Sequence, residues 1–141
     1  MTARKTTKRI SPRTPPRHPP TLPGLGELEA AIMEVVWRTD DAMRVRDVLD
    51  KLESARQPAY TTVMTVMDNL HRKGWLSREL DGRAYSYRAT RDRLQAATDA
   101  LRELLADSGD PTAALLHFAR SASTAESRAL TRGLKERGRR R

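Results

Sequence analysis

Apolar residues along the chain first fall into step near Leu25. Leu28, Ile32, Val35 and Val36 recur at the spacing of one helix face, while Glu27, Glu29 and Glu34 put negative charge mostly near the start, where the helix dipole favours it. This predicts a first helix from Leu25 to about Arg38. Thr39-Asp40-Asp41 reads as a turn, after which Val45, Val48, Leu49 and Leu52 follow the i, i+3, i+4, i+7 pattern of a second amphipathic helix. Arg56-Gln57-Pro58 interrupts that pattern, because proline excludes the preceding residue from helical geometry yet is tolerated in a first turn. A third helix is therefore expected from Pro58 or Ala59. Within it Val63, Val66, Met67 and Leu70 turn inward, leaving Thr61, Met64, Thr65, Asp68, Asn69 and Arg72 outward, and Gly74 is a suitable left-handed terminator.

Beyond Gly74 the period changes. Trp75 to Leu80 and Ala84 to Ala89 are strand-like runs separated by Asp81-Gly82-Arg83, a strong hairpin signal. Three helices followed by an arginine-rich hairpin is the order of a winged helix-turn-helix domain. Further helix is expected from Leu94, Ala97, Leu101, Leu104 and Leu105, then from Leu115, Leu116, Phe118 and Ala119 after Pro111, and finally from Ala129, Leu130 and Leu134. These segments are too thin to form a core alone, and a second copy would supply the missing half. The fold class expected is mainly α with a small β-hairpin wing: a winged helix domain over 25–91 and a helical dimerisation domain over 92–138. Leu101, Leu104, Leu105, Leu115, Leu116, Phe118, Leu130 and Leu134 are its expected dimer contacts. Residues 1–24, with six of the eight prolines and no acidic residue, read as a disordered basic tail, and 139–141 as a basic end.

Composition narrows the function. With one Phe, two Trp and three Tyr in 141 residues, a large cofactor pocket would be hard to line. The absence of Cys excludes disulfides, zinc ribbons and thiol chemistry. No stretch approaches the roughly 20 apolar residues of a membrane helix, so no membrane insertion and a cytoplasmic location are expected. The net charge of +9 is unevenly distributed. Residues 25–55 hold four basic and eight acidic side chains, whereas 56–93 hold eight basic and four acidic, which turns the second stretch toward a polyanion.

A helix in the major groove reads base edges with short polar side chains and grips phosphates with Lys and Arg near its ends. In the third helix Thr61, Thr62 and Thr65 suit bases or phosphates, Asn69 suits adenine, and Arg72 and Lys73 suit the flanking backbone. The hairpin adds Arg78, Arg83 and Arg88, with Arg83 at the tip best placed for a phosphate or the minor groove. Trp37 and Trp75 read as core aromatics, whereas Tyr60 suits a cap, the core or a phosphate equally. His18, His71 and His117 show no metal-ligand spacing, and no nucleophile elbow, phosphate-binding glycine loop or paired-carboxylate site is visible. No cofactor, metal or catalysis is expected.

Leu25-Gly26-Glu27-Leu28-Glu29, Met33, Val36-Trp37, Val45 to Leu49, Ala59 to Met67, Leu70, Lys73-Gly74 and Tyr85-Ser86-Tyr87 together resemble the penicillinase-repressor (BlaI/MecI) family, with Tyr60 to Thr65 the most specific stretch. The resemblance spans about residues 25–135. It implies a cytoplasmic homodimeric repressor on a palindromic operator of double-stranded DNA, in a β-lactam-response or related operon, with Thr61, Thr62, Thr65 and Asn69 on the recognition helix. In β-lactam-responsive members a sensor-linked protease triggers cleavage of an Asn-Phe bond; the matching pair here is His117-Phe118, a departure from that pattern. The cysteine motif of copper-responsive relatives is absent. The basic tails lie outside the family pattern and suit salt-sensitive attraction to DNA or mere solubility. The competing readings are a non-specific nucleic-acid-binding, nucleoid-type protein and a protein-interaction module.

Overall fold

The computed structural model describes residues 21–52 and 57–139; Arg56, Arg140, Arg141 and the expected tail up to residue 20 lie outside it. Helix α1 spans Glu27–Trp37, two residues later than Leu25. It starts there because the Gly26 N–H donates to Glu29 Oε1 at 2.9 Å, a cap that needs Gly26 outside the helix. Helix α2 spans Val45–Lys51, and its entry is fixed in the same way by the Arg44 N–H donating to Asp47 Oδ2 at 3.0 Å. Helix α3 spans Tyr60–Arg72, so Pro58 precedes the cap instead of entering the first turn. The carbonyl of Ala59 accepts from the N–H groups of Thr62 and Val63.

Gly74 ends α3 as expected. Its φ of +85° lets the Trp75 N–H reach the Leu70 carbonyl at 2.9 Å while its own N–H bonds His71 at 3.0 Å, the paired closure of a Schellman cap. Strands β1, Leu76–Asp81, and β2, Ala84–Ala89, pair antiparallel from Leu76 opposite Ala89 to Asp81 opposite Ala84. Asp81 thus belongs to a strand and not to the turn, and Trp75 precedes the strand. The loop is Gly82-Arg83 alone: Gly82 has φ +67° and no described non-glycine residue has positive φ, the pattern of a type II′ turn. Met43 adds a one-residue third strand, exchanging hydrogen bonds of 2.9 and 2.8 Å with Tyr87. A single bridged residue has no period, so the sequence pattern gave no sign of it.

The main core cluster is built from these elements and the residues flanking them, and farther along the chain Ala96 is buried as well. Ile32, Met33 and Val36 from α1, Val48 from α2, Val63, Met67 and Leu70 from α3, and Leu76 from β1 are all at most 2% exposed. Each full burial stabilises by about 1.5–3 kcal/mol. Trp37 and Trp75 pack edge to face at 6.3 Å beside this core, as the sequence suggests.

Three more helices follow: α4 over Arg93–Asp107, α5 over Pro111–Ser121 and α6 over Thr124–Arg139. Asp92 and Asp110 cap the first two through Gln95 and Ala113, and Ser123 and Glu126 cap the third reciprocally. The start of α4 is tied to α1. Arg93 pairs with Glu34, and Trp37 Nε1–H donates to the Arg91 carbonyl at 3.0 Å. Farther on the support vanishes, because α5 and α6 bury no residue. Helix α6 runs to Arg139, one residue into the basic end expected over 139–141.

Candidate nucleic-acid interface

Burying Val63, Met67 and Leu70 fixes the rotation of α3, and everything else about its outer face follows. Thr61, Thr62, Met64, Thr65, Asn69 and Arg72 are exposed there. Thr65 Oγ1–H donates to the Thr61 carbonyl at 3.0 Å, so its lone pairs and methyl group, and not its proton, face outward. Thr61, Thr62 and Asn69 make no side-chain hydrogen bond among the described residues.

The cations divide into held and available ones. Lys73 is held: its ammonium sits 2.8 Å from Glu29, whose side chain is mostly buried and whose other carboxylate oxygen has no partner. Burial raises the Glu29 pKa, but the hydrogen bonds from Lys73 and Gly26 outweigh it and leave the group below its usual value. Lys73 therefore pins α3 to α1, and a phosphate drawn to it would compete with that carboxylate. Arg72 lies 3.1 Å from Asp68 and is well exposed; a surface pair of this kind is worth about 0–1 kcal/mol, little enough for a phosphate to displace.

Asp68 is also gripped by Arg78 of β1 at 2.7 Å, and the Arg78 guanidinium lies 4.2 Å from the centre of the Tyr85 ring. The Arg78 hydrogen bond holds the Asp68 carboxyl below the usual aspartate range. Arg88 donates to the Asp40 carbonyl at 2.6 Å. Arg78 and Arg88 are thus structural, whereas Arg83, at the exposed turn, has no partner among the described residues. On the opposite side of the wing Arg44 and Asp81 pair at 2.9 Å. The wing is moored on two sides, to α3 through Asp68 and to the start of α2 through Arg44.

Three further side chains near this face are exposed, of which Tyr60 alone had a phosphate contact among its expected roles. Tyr60 and Met64 on α3 and Tyr85 on β2 are all more than 40% exposed. The signal for Met64 was present, since its place in the helical period is outward. Tyr85 gave none, because alternation in β2 continues past the point where the core ends. Among the described residues no group of His, Asp and Glu is arranged to hold a metal ion, and no helix is long and apolar enough to cross a membrane.

An exposed threonine-rich helix beside a moored basic hairpin suits duplex DNA, and comparison with known sequences agrees. The profile described as "Penicillinase repressor" matches residues 25–136. The chain belongs to the penicillinase repressor family. It is similar to the transcriptional regulator BlaI of Mycobacterium tuberculosis, 37% identical over 118 residues that make up 82% of this chain and 86% of that protein. An uncharacterised 16.5 kDa protein of Latilactobacillus sakei is 32% identical over 76 residues, covering 54% of this chain and 51% of that protein. Among solved structures, the solution structure of the DNA binding domain of the repressor BlaI aligns at TM-score 0.45 and 23% identity over 52% of this chain and 88% of that one. MepR of Staphylococcus aureus, a transcription regulator of the multidrug efflux pump MepA, aligns at TM-score 0.45 and 15% identity over 80% of this chain and 77% of that one. As a penicillinase repressor family member, the chain is a sequence-specific DNA-binding transcriptional repressor and not an enzyme.

Proposed function

We propose that the repressor acts in the cytoplasm as a homodimer, each copy laying α3 in the major groove of one half-site of a palindromic operator. Thr61, Thr62, Thr65 and Asn69 would read base edges, Arg72 would hold the backbone, and Arg83 would reach a phosphate or the adjoining minor groove. The observation that carries the dimer is the state of α4 to α6. Leu101, Leu104, Leu115, Leu116, Phe118, Leu130 and Leu134 are each 45% or more exposed, and Leu105 is half-buried. Several of them line an open apolar cavity of about 390 Å³. Apolar surface so concentrated is a docking face, and its equal on a second copy is the simplest cover. A rigid dimer binds two half-sites with an affinity that neither head has alone.

Relief of repression by a sensor-linked protease, as in β-lactam-responsive members, would require more than recognition. His117-Phe118 lies within α5, and a helical bond must unwind before a protease can engage it. Sedimentation equilibrium at micromolar concentration, together with footprinting in excess random duplex, tests the reading. A dimer with a protected palindrome is expected; a monomer without sequence preference would refute it.

A further inference from the structure

Helix α6 carries a second kind of surface. Arg128, Arg132, Lys135 and Arg139 recur at i, i+4, i+7 and i+11, which places them within about 60° of one another around a helix of 3.6 residues per turn. Ser127 and Thr131 flank that face on its Leu134 side. The four cations extend over about 16 Å of helix axis. Arg132 shares its charge with Glu136 at 2.9 Å; Arg128, Lys135 and Arg139 have no partner among the described residues. The leucines of α6, Leu130 and Leu134, lie in a different sector, and Leu130 faces the apolar cavity between α4 and α5. Covering the leucines therefore leaves the cationic ridge free.

The geometry points to this ridge as a sequence-independent contact for the sugar-phosphate backbone of duplex DNA, outside the bases read by α3. Charge selects a polyanion, and the rest of the face selects which one. A single-stranded nucleic acid is gripped by stacking its bases on aromatic rings, and α6 contains none. A membrane surface needs a broad apolar face to insert, whereas α6 offers two leucines, one already turned to the cavity. Duplex phosphates need only spaced cations and small hydroxyl donors, which the ridge supplies. The inference rests on the DNA-binding reading but not on which residues of α3 read bases.

The test is the salt dependence of binding to a 40-base-pair random duplex, measured on the full chain. Replacing Arg128, Lys135 and Arg139 by Gln keeps helix-forming residues and removes three free charges. The slope of log affinity against log salt is expected to become shallower by about 0.9 per cation engaged, close to 2.7 for all three. Arg137→Gln, outside the ridge, is expected to leave the slope unchanged. An unchanged slope in the triple variant overturns the proposal, as does an equal change from Arg137→Gln. So does loss of binding to phosphatidylserine vesicles in the triple variant with its DNA slope intact. If the triple variant loses helical circular dichroism, Arg128→Gln and Lys135→Gln singly carry the test at about 0.9 each, and neither changing the slope overturns it. Failure of the function reading is separately visible: wild-type protein would then show no preference for any duplex in a selection experiment, whatever its slope.

Discussion

Asp68 is the residue at which the recognition helix meets the wing. One carboxylate holds Arg78 of β1 and Arg72 of its own helix, and the Arg78 hydrogen bond depresses its pKa. Because the folded value lies below the unfolded one, the stabilisation is complete above the unfolded pKa. It is lost as pH falls through the folded value, so the mooring should loosen only below about pH 4. Asp68→Asn is expected to flatten the acid limb of a urea-midpoint against pH plot; a parallel curve would show that the pair adds nothing. Arg83, Asn69 and Lys73 should each behave differently. Arg83→Gln should weaken binding to all duplexes alike and take about 0.9 from the salt slope, whereas Asn69→Ala should cost about 1–3 kcal/mol at one base pair and relax preference there. Lys73→Gln should lower stability by about 1 kcal/mol in denaturant titration while leaving the slope unchanged, since its charge serves Glu29.

At the scale of elements, the turns and caps decide where each piece begins. The helical period placed α1, α2 and α3 correctly because their buried faces are long and regular, yet it mislaid their ends by one or two residues. Those ends are set by local hydrogen bonds, such as Gly26 to Glu29, that the period does not contain. The wing was legible through Asp81-Gly82, but which two residues form the loop depended on strand register. Gly82 sits at positive φ with open space around the position of a Cβ, so Gly82→Ala meets no clash and strains only the backbone. A loss of about 1 kcal/mol is expected, read as faster hydrogen exchange at Asp81 and Ala84, the hydrogen-bonded pair beside the turn, than at Ser77 and Arg88 near the base of the hairpin. Uniform exchange along both strands would show that the turn does not govern the wing.

The whole molecule is two unlike halves joined at a seam beside the start of α4. The first closes its own core; the second, α4 to α6, displays its leucines. Leu115→Asp is therefore expected to leave the head folded, with unchanged near-ultraviolet signal from Trp37 and Trp75, while the protein sediments as a monomer and operator affinity falls at least a hundredfold. Retained dimer with that charge in place would put the interface elsewhere. The seam is formed by the Arg93 pair with Glu34 and the hydrogen bond from Trp37 to Arg91, contacts that the sequence did not reveal because the partners are distant along the chain.

By itself the sequence determined the order of helices and strands, the inward face of α3 and the family, because apolar period and turn chemistry are local and repeat within a few residues. Which cations are free was settled by folding. Lys73, Arg78 and Arg88 carry the same charge as Arg83, and along the chain only the place of Arg83 at the hairpin tip sets it apart. Folding brings Glu29, Asp68 and the Asp40 carbonyl against the first three and leaves Arg83 facing water, since a charge is committed or available according to what packs beside it.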